Sequence, residues 1–239
     1  MIKVAKNLIV FLLISFVSIN SFAAQDEDNS NDNIDYYGNE GDLIFKIRAS
    51  GIKTRGTPKP PPSAIVPNPV AVGSFTEVGY GVEASTSIFF STNIAAELSL
   101  GFDVLRIKAN HLANVAANND GNIKAIGKRK QIYTIPVTLL AQYHIAPFGS
   151  ISPYVGAGYH GSYMLTKSKA FKMKNAFGPV IQAGIDFYAK DDTLINLDIK
   201  QYLFKAKVDY KNALVGPRSV SSKIKLNPLV VSLGVGFKF

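Results

Sequence analysis

The chain has 239 residues, 47% of them hydrophobic and 18% charged, with a formal net charge of +9. That balance is too apolar for a disordered chain, and the absence of cysteine rules out a disulfide scaffold and any thiolate metal or nucleophile site.

Lys3 and Lys6 precede the apolar run Leu8–Ile14, and Ser21-Phe22-Ala23 then offers small residues at a cleavage position. Residues 1–23 are therefore read as a signal peptide cleaved after Ala23. The run is broken by Ser15, Ser18 and Asn20, too short for the uncleaved anchor helix that is the alternative. Residues 24–42 carry Asp26, Glu27, Asp28, Asp32, Asp35, Glu40 and Asp42 without an apolar period, which predicts an acidic, mostly disordered periplasmic leader.

From Leu43 the pattern alternates. Ile94, Ala96, Leu98, Leu100, Phe102 and Val104 share one parity, with Glu97, Ser99, Gly101 and Asp103 on the other. Tyr133–Tyr143, Phe177–Phe187 and Leu229–Phe239 repeat this order, and period two marks strands with unlike faces. Weaker alternation over 43–50, 75–90, 153–165 and 194–208 brings the expected number of strands to eight. Short turns at 91–93, 147–150 and 190–192 alternate with long polar connections at 52–73, 108–130, 167–175 and 209–222. Short turns on one side and long loops on the other are the layout of an outer-membrane barrel. The expected fold is an all-β, eight-stranded antiparallel transmembrane barrel over residues 43–239.

A soluble barrel of the lipocalin type also has two faces, with its apolar face inside. The glycines separate the two cases. Gly79, Gly81, Gly101, Gly156, Gly158, Gly178, Gly184, Gly234 and Gly236 fall on the polar parity, and Gly161 is the exception. A narrow barrel needs small residues on its inner wall, whereas on a solvated outer wall glycine would only weaken the strands. Lys46, Arg48, Glu83, Glu97, Asp103, Asp186, Asp198, Lys200 and Lys238 share the glycine parity, four basic and five acidic. With Gln142, His160 and Gln182, the charges other than Lys238 are expected to form an inner-wall polar network, since an unpaired charge there would be costly.

Pro136–Tyr143, Pro153-Tyr154-Val155-Gly156-Ala157-Gly158, Gln182–Asp186, Asn196-Leu197-Asp198, Leu226-Asn227-Pro228 and Gly234–Phe239 occur in an order and spacing that resembles the OmpW/AlkL family of outer-membrane proteins. The likeness spans about residues 41 to 239. It implies an eight-stranded barrel and a passive channel for small hydrophobic molecules, which leave sideways into the bilayer. Members usually carry tryptophan at the barrel rims; this chain has none, so Tyr and Phe would form the aromatic belt. Phe237 and Phe239 resemble the terminal signal read by the outer-membrane assembly machinery. The second functional reading is a structural or surface-interaction barrel with a filled lumen and basic extracellular loops.

Positive charge collects in the long connections and the strand ends feeding them, among them Lys124, Lys128, Arg129, Lys130, Lys205, Lys207, Lys223 and Lys225. Such a rim predicts attraction to membrane lipid and the phosphates of lipopolysaccharide. A nucleic-acid partner is not expected, because no recognition motif accompanies the charge. His111, His144 and His160 lie far apart in sequence, and neither metal nor cofactor is expected. His160 and Ser162 echo the pairing of outer-membrane lipid A deacylases, but parity places both on the inner wall, away from lipid. No enzymatic activity is expected.

Overall fold

The computed structural model describes residues 39–54, 77–107, 130–145, 149–166, 171–189, 192–210 and 220–239. The signal peptide, most of the acidic leader, and the connections at 55–76, 108–129 and 211–219 lie outside them. The described strands are β1 (Leu43–Thr54), β2 (Gly79–Phe89), β3 (Ile94–Ile107), β4 (Lys130–His144), β5 (Ile151–Thr166), β6 (Phe171–Met173), β7 (Ala176–Tyr188), β8 (Thr193–Tyr202), β9 (Lys205–Tyr210), β10 (Val220–Lys225) and β11 (Pro228–Lys238).

Eight of these close into an antiparallel barrel in the order β1-β11-β8-β7-β5-β4-β3-β2. Closure is made by β1 on β11, from Ile44↔Lys238 to Thr54↔Pro228. Every strand of the barrel has two neighbours, so the barrel has no unpaired edge facing lipid, as a bilayer interior demands. Residues 39–42, the end of the polar leader, are tied to β2: Gly41 N–H donates to the Phe89 carbonyl, and Phe89 N–H to that of Asp42, both at 3.0 Å.

The faces follow the sequence parity. Lys46, Arg48, Glu97, Gln142, Gln182, Asp186, Asp198 and Lys200 are buried, while Ile47, Leu98, Leu139, Ile181, Ile199, Leu233 and Val235 are exposed. An apolar exterior around a buried charged interior inverts the arrangement of a water-soluble domain and fits lipid outside. Most of the exposed aromatics fall in two groups, with Tyr159 between them. Tyr143, Phe187 and Phe237 lie towards the short-turn end, and Tyr80, Phe102, Tyr163 and Phe177 towards the long-connection end. These are the two aromatic girdles of a membrane barrel, built without tryptophan.

Two connections expected to be irregular contain strands. β6 lies within 167–175, and β9 and β10 reach into 209–222, forming a second sheet of order β10-β9-β6. The register of β11 on β8, Leu229↔Gln201, continues unchanged into β10 on β9, Lys225↔Lys205. The hairpin thus runs on beyond the barrel through a bend at Leu203-Phe204 and Leu226-Asn227. Side chains satisfy that bend: Asn227 Oδ1 accepts from Phe204 N–H, and Gln201 Nε2 donates to the carbonyls of Asn227 and Pro228. The extension was hard to see in sequence because its buried residues, Met173, Ala206 and Val208, are few and separated by lysines.

Inner glycines sit where the backbone of the next strand crowds in. A Cβ on Gly158 would collide with the Leu139 carbonyl, and one on Gly178 with that of Leu203. Gly161, the outward exception, faces only the Phe177 ring, which can swing away. Gly158→Ala should therefore destabilise the folded barrel by about 1–3 kcal/mol, while Gly161→Ala should cost clearly less. Urea unfolding in detergent, followed by circular dichroism and by gel mobility of unheated samples, measures both.

Candidate functional site

The lumen is layered. At the short-turn end Ile44, Phe89, Ala95, Tyr188 and Leu194 form an apolar plug. At the other end a larger apolar cluster includes Ile52, Leu105, Ile132, Met164, Tyr202, Phe204 and Val230, and extends to Met173, Ala206 and Val208 of the second sheet. Between them lies a polar layer.

Arg48 on β1 organises that layer. Its Nη2 lies 2.7 Å from Glu97, its Nη1 2.6 Å from Glu83, and its Nε donates to Asn196 Oδ1 at 2.6 Å. Lys200 on β8 reaches the same two glutamates, at 2.6 Å and 3.3 Å. Lys46 pairs with Asp186 at 2.7 Å. Asn196 Nδ2 donates to Asp186 and to Tyr154 Oη, which in turn donates to Asp198 at 2.8 Å. Gln182 Nε2 donates to Asp198 and Glu97, and Gln142 Nε2 to Gln182 Oε1. Charges in a low-dielectric interior are tolerable only when paired and hydrogen-bonded in this way.

Strand β11 contributes space rather than charge. Gly234 lies opposite Arg48 and Gly236 opposite Lys46 in the ladder. A Cβ at either position would press on the stem of its partner, 2.8 Å from Arg48 Cγ and 3.0 Å from Lys46 Cγ. The two glycines let the long cationic side chains turn into the lumen.

Two expected members stand apart, as does Lys238, which lies outside the expected network. Asp103 accepts only from Thr134, at 3.3 Å, and among the described residues no cation lies within ion-pair distance. His160 Nδ1–H donates to the Gly178 carbonyl at 2.9 Å, and its ring packs against Tyr202 and Phe204 in the apolar layer. Lys238 shares the inner parity but sits at the rim, 3.0 Å from Asp42. Sequence reasoning missed Tyr154 and Asn196. Both lie inside recognised strings, but neither has a charge to flag it. Phe237 is an exposed outer-face residue of β11, and Phe239 is exposed as well. Among the described residues, no group of three or more His, Asp or Glu is placed to hold a metal ion.

Above the network, a cavity of about 20 Å3, room for a single water-sized group, is bordered by Asp103, Thr134, Pro136, Met164, Tyr202 and Phe204. Beside it the β3–β4 ladder lacks two pairs without a change of register. The β3–β4 pairing runs from Ile94↔Tyr143 to Leu100↔Val137 and resumes only at Asp103↔Thr134. Pro136 has no N–H to give, and it faces Gly101, where a Cβ would lie 2.9 Å from the proline ring.

The OmpW family pattern matches residues 39–239. The chain belongs to the OmpW family. A protein of Rickettsia prowazekii, named as a candidate outer membrane protein, is 52% identical over 243 residues and covers the whole of both chains. Two solved structures share the fold. The crystal structure of OprG from Pseudomonas aeruginosa has a TM-score of 0.65 at 14% identity, covering 85% of this chain and 98% of that one. The solid-state NMR structure of AlkL in lipid bilayers has a TM-score of 0.57 at 22% identity, covering 90% and 97%. This OmpW-family chain is an outer-membrane β-barrel, which places its short turns in the periplasm and its long connections outside the cell.

Arg48→Ala leaves Glu83 and Glu97 buried with one cation fewer. It should lower stability by roughly 3–5 kcal/mol. Lys174→Ala breaks only the exposed 3.8 Å pair with Asp209 and should cost less than about 1 kcal/mol. Urea midpoints of the two variants in the same detergent check the contrast.

Proposed function

We propose that this protein passes small hydrophobic molecules across the outer membrane, taking them into the loop-side half of the lumen and releasing them sideways into the bilayer. The observation that carries this reading is the β3–β4 break at Pro136, beside the apolar-lined cavity and directly above the ion network. A solute moving down the axis meets paired charges and then the Phe89–Leu194 plug, and desolvating those ions to let an apolar solute through would be costly. Parting of the strands where the ladder lacks pairs beside Pro136 is the alternative path, and an apolar solute gains by leaving there into lipid.

The small volume of the cavity supports a second reading, a filled structural barrel that displays basic loops. Uptake of an apolar fluorescent dye by cells with and without the protein separates the two. The channel reading expects faster uptake with the protein, and equal uptake would sink it. Pro136→Val restores an N–H at the break and should slow dye uptake while leaving a folded, heat-modifiable barrel.

A further inference from the structure

The second sheet stands above the barrel with two unlike faces. Ala206, Val208 and Met173 are buried and continue the apolar cluster of the lumen. Lys205 and Lys207 on β9, Lys223 and Lys225 beside β9 on β10, and Lys172 and Lys174 at β6 are all exposed. The exposed face is the outer face of the barrel carried upward. Along β8 and β9 the outward residues read Ile195, Leu197, Ile199, Gln201, Leu203, Lys205 and Lys207, with no change of parity through the bend. The surface that touches lipid tails up to Leu203 therefore turns cationic two residues later. At about 3.3 Å of rise per residue, the first lysine lies within about 7 Å of the last aliphatic contact. A change from aliphatic to cationic over so short a rise matches the passage from acyl chains to anionic headgroups.

The charges on this face are not arranged to satisfy one another. Lys205 is paired directly with Lys225, and Lys207 with Lys223, so like charges stand opposite across the ladder, a destabilising arrangement when no anion intervenes. Among the described residues only Lys174 has a carboxylate within ion-pair distance, Asp209 at 3.8 Å. Six lysines against one aspartate leave a strongly cationic patch, continuous in parity with the outer face of the barrel.

We propose that the lysine-bearing face of β6, β9 and β10 docks the phosphorylated headgroups of the outer-leaflet glycolipid. Phosphates between the paired lysines would relieve the cross-strand repulsion, and the glycolipid's acyl chains would lie along Leu203, Ile199 and Leu197 below. This docking surface lies on the outside of the barrel, so it is independent of any route through the lumen.

The test titrates the full-length, detergent-folded protein with bis-phosphorylated lipid A and, in parallel, with dephosphorylated lipid A, reading bound lipid by native mass spectrometry. The combined variant Lys205→Gln, Lys207→Gln, Lys223→Gln, Lys225→Gln should bind the phosphorylated lipid about tenfold or more weakly than the parent. The parent's affinity should fall with added salt, and dephosphorylated lipid should bind parent and variant alike. Unchanged binding by the variant would overturn the proposal, as would equal affinity of the parent for both lipids. A competing arm with heparin tests a soluble polyanion instead; if the substitutions weaken only heparin binding, the lipid assignment is wrong. Should the combined variant fail to show the mobility of a folded barrel on unheated gels, the pairs Lys205→Gln with Lys225→Gln and Lys207→Gln with Lys223→Gln provide the same comparison, each expected to weaken binding by about threefold.

Discussion

Arg48 is the side chain around which the interior is organised. From β1 it reaches Glu83 on β2, Glu97 on β3 and Asn196 on β8, so one guanidinium joins four strands across the lumen. Lys200, Gln182, Gln142, Tyr154, Asp186 and Asp198 extend the same set of bonds to β4, β5 and β7. The remaining barrel strand, β11, supplies the glycines that make room for the cations. Burying so many ions is tolerable only when all of them are satisfied together. That demand fixes the register of the strands that bear the ions, because a one-residue slip of any of them would carry those charges into lipid.

The same layer determines what the lumen can do. It separates a periplasmic-side plug from a loop-side apolar cluster and blocks an axial path. The β3–β4 ladder lacks two of its pairs beside Pro136, one level above that layer. The densest bonding thus lies next to the level at which ladder bonds are missing.

Above the barrel the strands do not simply end. The β8–β11 hairpin keeps its register through the bend into β9 and β10, so the inside of the barrel becomes the packed face of the extension and the lipid-facing side becomes its lysine face. A single alternation of side chains therefore builds the lumen face, the apolar outer face and the lysine face in turn.

Much of this could be read from the chain alone. Period-two alternation, with glycine and charge confined to one parity, was enough to assign the faces, because a strand offers a side chain only two directions. The strings from Pro136 to Phe239 pointed to the family. The sequence could not say which charges meet. Arg48 and Glu97 are brought together by the register of β1 on β2 and of β2 on β3, and uncharged Tyr154 and Asn196 join them only through distances set by the barrel. It could not show that Asp103 and Lys238, correct in parity, stand at other heights from the ion network. Nor could it reveal the β6–β9–β10 sheet, whose buried residues are too few to make a pattern. Parity is a local property of the backbone and is written in the order of residues. Partnership and height depend on register and closure, which exist only once the ring of strands is complete.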